Sequence, residues 1–222
     1  MDMYMWKYFG ITHTDHTLMN PMSLAKTEEL IERLCLPDGG RVLDLACGPA
    51  TQLAQVAELN ADMEFTGLDL STEMLASAEQ HIRDCGLTNI QLTEGDITKL
   101  PQFLDASFDA VICTMALHHL PTLEHLDSCF SEIARVLKPG GRLSITFDFR
   151  GPGVSLAGMG PNYDPDNLIQ SPADVERHFL SSGDFELVGN KTFEDNGKSY
   201  LVWPGDPAKR YTFGALFLRK SG

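Results

Sequence analysis

The sequence predicts an α/β fold: a seven-stranded, mostly parallel sheet with helices on both faces and the last strand antiparallel. Three observations predict it. Short apolar runs of strand character alternate with segments of helical spacing between residues 24 and 150. Gly, Pro, Asn and Asp punctuate the alternation. The chain then closes on two strand-like runs. Consecutive β–α units require parallel strands joined by right-handed crossovers, and the final pair supplies the antiparallel member. At 222 residues, the chain suits a single domain, 1–222, able to bury a full core.

Residues 1–22 are rich in Met, aromatics and His, carry Pro21, and read as a flexible or helical lead-in. Ser23 to Leu36 has Leu24, Leu30, Ile31 and Leu34 near helical spacing, and Pro37-Asp38-Gly39-Gly40 then breaks the chain. RVLDLA (41–46) is a continuous apolar run, the mark of a central strand buried on both faces. A turn of small residues leads into a helix over TQLAQVAEL, and FTGLDL (65–70) is the second strand. Ser71 caps the next helix, with Met74 just inside; the helix runs through His81 to Cys85, and Gly86 ends it.

IQLTEGD (90–96) is the third strand and FDAVICTM (108–115) the fourth, followed by a helix over LEHLDSCFSEIARVL. Pro139-Gly140-Gly141 turns into RLSITFDF (142–149), the fifth. The Gly-, Pro-, Asn- and Asp-rich stretch 151–168 reads as a loop, and one of this length is usually a functional lid or a mobile segment. SPADVERHFLSSG reads as a helix with Ser171 as cap and Pro172 at its first position. FELVGNKTFE and YTFGALFLRK read as a closing hairpin.

The formal net charge of −14, without any basic run, disfavours a nucleic-acid partner, since phosphate binding needs clustered Lys and Arg. No apolar run reaches the ~18–20 residues of a membrane span. The acidic, aromatic start lacks the basic end and apolar stretch of a signal peptide, so a cytoplasmic location is expected, with no membrane partner. Cys35, Cys47, Cys85, Cys113 and Cys129 form no C-x-x-C pair and are odd in number. Buried thiols are expected rather than disulfides or a metal site.

Three signals fall at successive strand ends. Val42-Leu43-Asp44-Leu45-Ala46-Cys47-Gly48-Pro49-Ala50 passes from strand through a small-residue turn to a helix N-terminus, where a backbone can approach a ligand closely. Asp69 ends the second strand, where an acidic side chain takes ribose hydroxyls in Rossmann-type folds. Glu94-Gly95-Asp96-Ile97 ends the third, where Asp96 can accept from an exocyclic amine with Ile97 against a ring face. Each alone also reads as ordinary structure: a tight turn, a helix cap, a solvated loop. Together they point to a ligand at the carboxyl ends of the strands. The absence of G-x-G-x-x-G argues against a dinucleotide-dependent oxidoreductase.

VLDLACGPA, GLDLSTEML, EGDITKLP, FDAVICTMALHHLP and EIARVLKPGGRLSI resemble, in order, the successive motifs of class I (Rossmann-like) S-adenosylmethionine-dependent methyltransferases. The likeness is to the small-molecule type, as in the ubiquinone and menaquinone biosynthesis group. It implies S-adenosyl-L-methionine as cofactor and S-adenosyl-L-homocysteine as product. The turn Ala46-Cys47-Gly48 would hold the methionine end, with Asp44 also counted among the cofactor-binding residues. Asp69 would take the ribose, Leu70 and Met74 would lie beside the adenine with Ile97, and Asp96 would take its amine. The Thr114 carbonyl would meet the ammonium. The family has glycines where Ala46 and Ala50 stand, so a slightly constrained turn and at most weaker binding are expected.

The resemblance implies methyl transfer to an O, N, C or S atom of a small molecule by in-line displacement, in which the protein mainly orients and desolvates. A base is needed only where the acceptor must lose a proton. His118 and His119 follow the fourth strand; either could be that base, and either could simply pack or hydrogen-bond. Two adjacent histidines lack the carboxylate partners of a metal site. In similar enzymes the N-terminal segment is a helical lid over the cofactor, which makes Tyr8, His13 and His16 candidate substrate contacts. The alternatives are a protein or nucleic-acid methyltransferase, or a non-catalytic cofactor-binding regulatory protein. The first is disfavoured by charge and by Thr114-Met115-Ala116-Leu117 standing where adenine-type enzymes carry [DNS]-P-P-[YF]. A monomer or homodimer is expected.

Overall fold

The computed structural model describes residues 36–149, 171–189, 200–201 and 210–222, with Glu32 and Leu34. The lead-in 1–22, most of the helix expected over 23–36 and the loop 151–168 lie outside them. In chain order the elements are β1 (Arg41–Leu45), α1 (Thr51–Leu59), β2 (Glu64–Asp69), α2 (Thr72–Asp84), β3 (Ile90–Glu94) and β4 (Phe108–Thr114). A 3₁₀ turn (Leu117–His119) precedes α3 (Leu123–Val136) and β5 (Leu137–Phe149). There follow α4 (Pro172–Val175), a π-type turn (Glu176–Leu180), β6 (Phe185–Leu187), β7 (Tyr200–Leu201) and β8 (Arg210–Lys220).

Seven strands lie side by side in the order β3-β2-β1-β4-β5-β8-β6, with the two-residue β7 paired to the start of β8. The β3–β2, β2–β1, β1–β4 and β4–β5 pairs are parallel, and β8 runs antiparallel to both β5 and β6. The strand order reverses between β1 and β4, which opens a crevice at the carboxyl edge beside β1.

The apolar run of β1 is buried on both faces. Val42 belongs to a core with Leu53, Val56, Ala57, Ala78 and Ile82 of α1 and α2. Leu43 and Leu45 belong to the other, with Phe130 and Ile133 of α3 and Phe179. Helix α2 starts where Ser71 Oγ accepts from the Met74 N–H at 3.3 Å and ends at Gly86, φ 68°. Helix α3 starts at Thr122, whose hydroxyl accepts from the His125 N–H, and buries Leu126, Cys129, Phe130, Ile133 and Val136. Each large side chain so buried contributes about 1.5–3 kcal/mol. Truncating the fully buried Ile133 to Ala should therefore cost about 2–5 kcal/mol.

Two local expectations are corrected. Strand β5 begins at Leu137, not after the Pro-Gly-Gly turn; Leu137 pairs with Phe108 and Arg142 with Ala110, so the extra residues form an irregularity within the strand. Gly140 takes φ 75°, and a Cβ on Gly141 would lie 2.8 Å from the Lys138 carbonyl oxygen. The expected helix from Ser171 is α-helical only to Val175 and widens into the π-type turn, where Phe179 packs on Phe130 and Phe147 with ring centroids 5.1 and 5.0 Å away.

At the amino edge of the sheet, polar groups close the connections. Asp109 Oδ2 accepts from the Arg41 N–H at 2.9 Å, and Lys138 Nζ donates to both Asp109 oxygens at 2.8 Å. The Asn89 amide donates to the carbonyls of Ala57, Asn60 and Met63 at 3.2–3.4 Å. Burial alone would raise the Asp109 carboxyl, but these donors and the charges of Lys138 and Arg41 hold it below the usual carboxylate range.

Candidate functional site

The site forms at the carboxyl edge, where β1, β2, β3 and β4 end. Beyond Leu45 the chain turns through Ala46, Cys47, Gly48, Pro49 and Ala50 into α1. Ala46, Gly48 and Ala50 all take the left-handed conformation, at φ 58°, 54° and 57°. The two alanines thus stand in backbone that favours glycine, at about 1 kcal/mol each. This is the constraint expected from the residue types. Met115, just past β4, is also left-handed at φ 54°, and its N–H donates to the Thr146 carbonyl and hydroxyl at 3.1 and 3.0 Å.

The turn is stitched to β2. The Cys47 N–H donates to the Leu68 carbonyl at 3.0 Å, and the Gly48 N–H to Asp69 Oδ2 at 2.8 Å. Asp69 Oδ1 accepts from the Ser71 N–H at 2.9 Å, so this one carboxylate ties the first strand turn to the start of α2. Gly67 permits the approach: a Cβ there would lie 2.8–2.9 Å from Leu92, Cys47 and Leu53 side-chain atoms.

Asp44 is 4% exposed and accepts no hydrogen bond from any described residue. Burial, then the charge of Asp69, pushes its carboxyl up to about 8. Asp69, at 8% exposure, is also raised by burial, against the N–H groups of Ser71, Gly48 and Leu70 that favour its ionised form. The Cys47 thiol is pushed far up by burial and by both carboxylates, which rules it out as a ready nucleophile.

The third strand end joins the same edge, because the Gly95 N–H donates to the Asp69 carbonyl at 3.0 Å. Asp96 is exposed, with Oδ1 accepting from the Thr98 N–H and hydroxyl at 2.8 Å. Ile97 is half-buried, Leu70 is 51% exposed, and Met74 is buried in the first turn of α2. Asp44, Ala46, Cys47, Gly48, Asp69, Leu70, Met74, Asp96 and Ile97 are therefore brought to one edge. Thr114 ends β4 on that edge, and His118 and His119 follow in the 3₁₀ turn, with the His119 N–H on the Ala116 carbonyl at 3.0 Å. Tyr8, His13 and His16 lie outside the described residues. The thiols are a partial correction: Cys113 and Cys129 are buried and Cys47 is half-buried, but Cys85 is exposed at the end of α2, 3.9 Å from His81 Nε2, and Cys35 lies outside the described residues.

A family profile described as "Methyltransferase domain" matches residues 42–141. YqeM of Bacillus subtilis, which bears a provisional methyltransferase name, is 31% identical over 177 residues, covering 79% of this chain and 66% of that protein. The demethylmenaquinone methyltransferase of Geobacillus kaustophilus is 36% identical over 115 residues, 51% of this chain and 47% of that enzyme. The chain belongs to the class I methyltransferases. It spans about half to two thirds of the length of these curated relatives. The fold is shared with phosphoethanolamine N-methyltransferase 2 of Haemonchus contortus, solved with S-adenosyl-L-methionine, at TM-score 0.70 and 20% identity, over 99% of this chain and 56% of that one.

The methyltransferase edge suits the cofactor that the family implies. Two buried carboxylates stand together without a cation among the described residues, one of them without a hydrogen bond. A ligand carrying positive charge and hydroxyl donors would satisfy both. Sequence reasoning missed the Thr146 hydroxyl that holds Met115, and the Glu132–Arg135 pair of α3. The only sequence signal for the latter was the EIARVLKPGG motif itself.

Proposed function

We propose that this chain transfers a methyl group from S-adenosyl-L-methionine to an O, N, C or S atom of a small molecule. The observation that carries this reading is Asp44, a buried carboxyl without a hydrogen bond from any described residue, beside an Asp69 already held on backbone N–H groups. When bound, the cofactor supplies the activated methyl group together with its own leaving group.

Asp69 keeps an unused acceptor direction for a ribose hydroxyl, since its two oxygens offer about four and the Gly48, Ser71 and Leu70 N–H groups use at most three. Asp44 and the turn Ala46-Cys47-Gly48 serve the cationic methionine end, with the Thr114 carbonyl. Leu70, Met74 and Ile97 offer apolar surface to the adenine, and Asp96 an acceptor to its amine. His118 or His119 takes the proton of an acceptor that carries one. A small-molecule acceptor is favoured by the charge of −14 and by a relative named for demethylmenaquinone. Among the described residues, no helix is long and apolar enough to cross a membrane.

Calorimetry with S-adenosyl-L-methionine and with NAD tests the cofactor: the first should bind and the second should not. Asp69→Ala should weaken binding by about 1.5–3 kcal/mol, the range for hydrogen bonds to a charged group. Unchanged affinity in a folded variant refutes the ribose assignment. A labelled methyl donor offered with a metabolite pool then separates an enzyme from a cofactor-binding regulator.

A further inference from the structure

We infer that Glu132 and Arg135 of α3 are positioning residues for the adenine amine, acting through the loop that carries Asp96 and Ile97. The inference rests on the cofactor reading above and adds to it a device outside the ligand edge.

Residues 95–107 connect β3 to β4 without a helix or strand of their own, so their path must be pinned from elsewhere. Arg135 does this with a whole guanidinium. It donates to the Leu100 carbonyl at 2.7 Å, the Phe103 carbonyl at 2.9 Å and Asp105 Oδ1 at 2.8 Å. It also donates to both Glu132 oxygens at 2.9 Å, a two-point pairing that fixes the plane of the fork. Glu132 Oε2 in turn accepts from the Leu100 N–H at 2.7 Å, so both backbone groups of Leu100 are held by α3. The Arg135 and Val136 carbonyls accept from the Ala106 and Ser107 N–H groups at 2.9 and 2.8 Å.

Leu100 is fully buried and only three residues beyond Ile97. Between them the Lys99 N–H donates to the Asp96 carbonyl at 2.9 Å, while Thr98 takes the Asp96 carboxylate. Asp96 is therefore set from two sides: by the β2–β3 ladder through Gly95, and by the α3 clamp through Leu100. Neither Glu132 nor Arg135 has a described bond to Asp44, Asp69 or Asp96, so they act through the loop. With side chains 24% and 29% exposed, the pair is little screened by solvent.

The test compares binding of S-adenosyl-L-homocysteine with that of its deaminated analogue, which bears oxygen where the adenine has its amine. Calorimetry is run on the full chain, with thermal midpoints recorded in parallel. The wild type should favour the amine by about tenfold, as expected for one hydrogen bond to a carboxylate. Arg135→Ala should bring that ratio down toward one, and Glu132→Gln, whose amide oxygen can still accept from Leu100, should keep most of it. A merely structural role would lower the midpoint and weaken both ligands alike. If Arg135→Ala does not fold, Arg135→Lys serves, since one ammonium cannot reproduce the fork and the carbonyl bonds. An unchanged ratio in a folded Arg135 variant overturns the inference, as does equal affinity of the wild type for the two ligands. Failure of the wild type to bind either ligand brings down the cofactor reading itself.

Discussion

The two edges of the sheet treat charge in opposite ways. At the amino edge Asp109 lies between Lys138 and Arg41 and is held ionised, and the Asn89 amide gathers three carbonyls. At the carboxyl edge Asp44 is buried beside Asp69 without a hydrogen bond from any described residue, and Ala46, Ala50 and Met115 occupy left-handed backbone. One edge is complete as it stands. The other keeps a buried carboxyl with no described hydrogen bond, beside left-handed backbone at non-glycine residues. Features of this kind collect at functional sites because the rest of the fold can sustain them.

The contrast should be largest in pH dependence. In the folded, ligand-free protein the Asp44 carboxyl is raised to about 8 from its ordinary 3.8. Between those values the folded state keeps a proton that the unfolded chain has released. Its contribution is therefore most favourable below the ordinary value and is lost as pH rises toward 8, at up to ~1.4 kcal/mol per pH unit. Asp109, lowered, has the opposite sign: its contribution is present above the ordinary carboxylate value and lost as pH falls through the lowered one. Urea denaturation across pH should give a flatter curve for Asp44→Asn than for wild type between pH 4 and 8, with a gain in stability at the alkaline end. Parallel curves would break the comparison.

Gly67→Ala probes how tightly the carboxyl edge is built. The added methyl would meet Leu92, Cys47 and Leu53 at 2.8–2.9 Å, so overpacking of about 1–3 kcal/mol is expected, with weaker cofactor binding as Cys47 shifts. A thermal midpoint equal to wild type would mean that the turn yields freely. Asp109→Ala probes the other edge. It should cost about 1–1.5 kcal/mol of stability, since Lys138 is left half-exposed rather than buried, while cofactor affinity stays unchanged. A loss of affinity there would blur the division. The smallest effect is Ala50→Gly, which relieves a left-handed alanine and should stabilise by a few tenths to about 1 kcal/mol in chemical denaturation. Destabilisation would show that the alanine methyl packs more usefully than its backbone strain costs.

What could be read from the sequence was local. The run over β1 announced a strand buried on both faces, TQLAQVAEL spans α1 end to end, and Ser71 caps α2 as its residue type implies. Asp69 and Asp96 could be picked out because strand ends are legible. The remainder depends on residues that meet only in the fold. Thr146 holds Met115 from the next strand, and Arg135 reaches the Leu100 and Phe103 carbonyls across intervening strand and helix. Nothing in the spacing of Leu137–Gly141 announces that the β4–β5 ladder already begins at Leu137. The left-handed Ala46 and Ala50 were legible only as a departure from the family's glycines.

Strand β8 has a consequence for how the molecule is made. Strands β3, β2, β1, β4 and β5 come from one continuous stretch and can pair as they leave the ribosome. The free side of β5 waits for residues 212–219, and β6 has no described neighbour except β8. During synthesis β5 is a bare strand edge bearing Leu143, Ile145 and Phe147, the kind of surface on which chains stick to one another. The step that ends this exposure is a single long-range closure. Its speed, rather than that of the β–α units, sets how long that edge stays open.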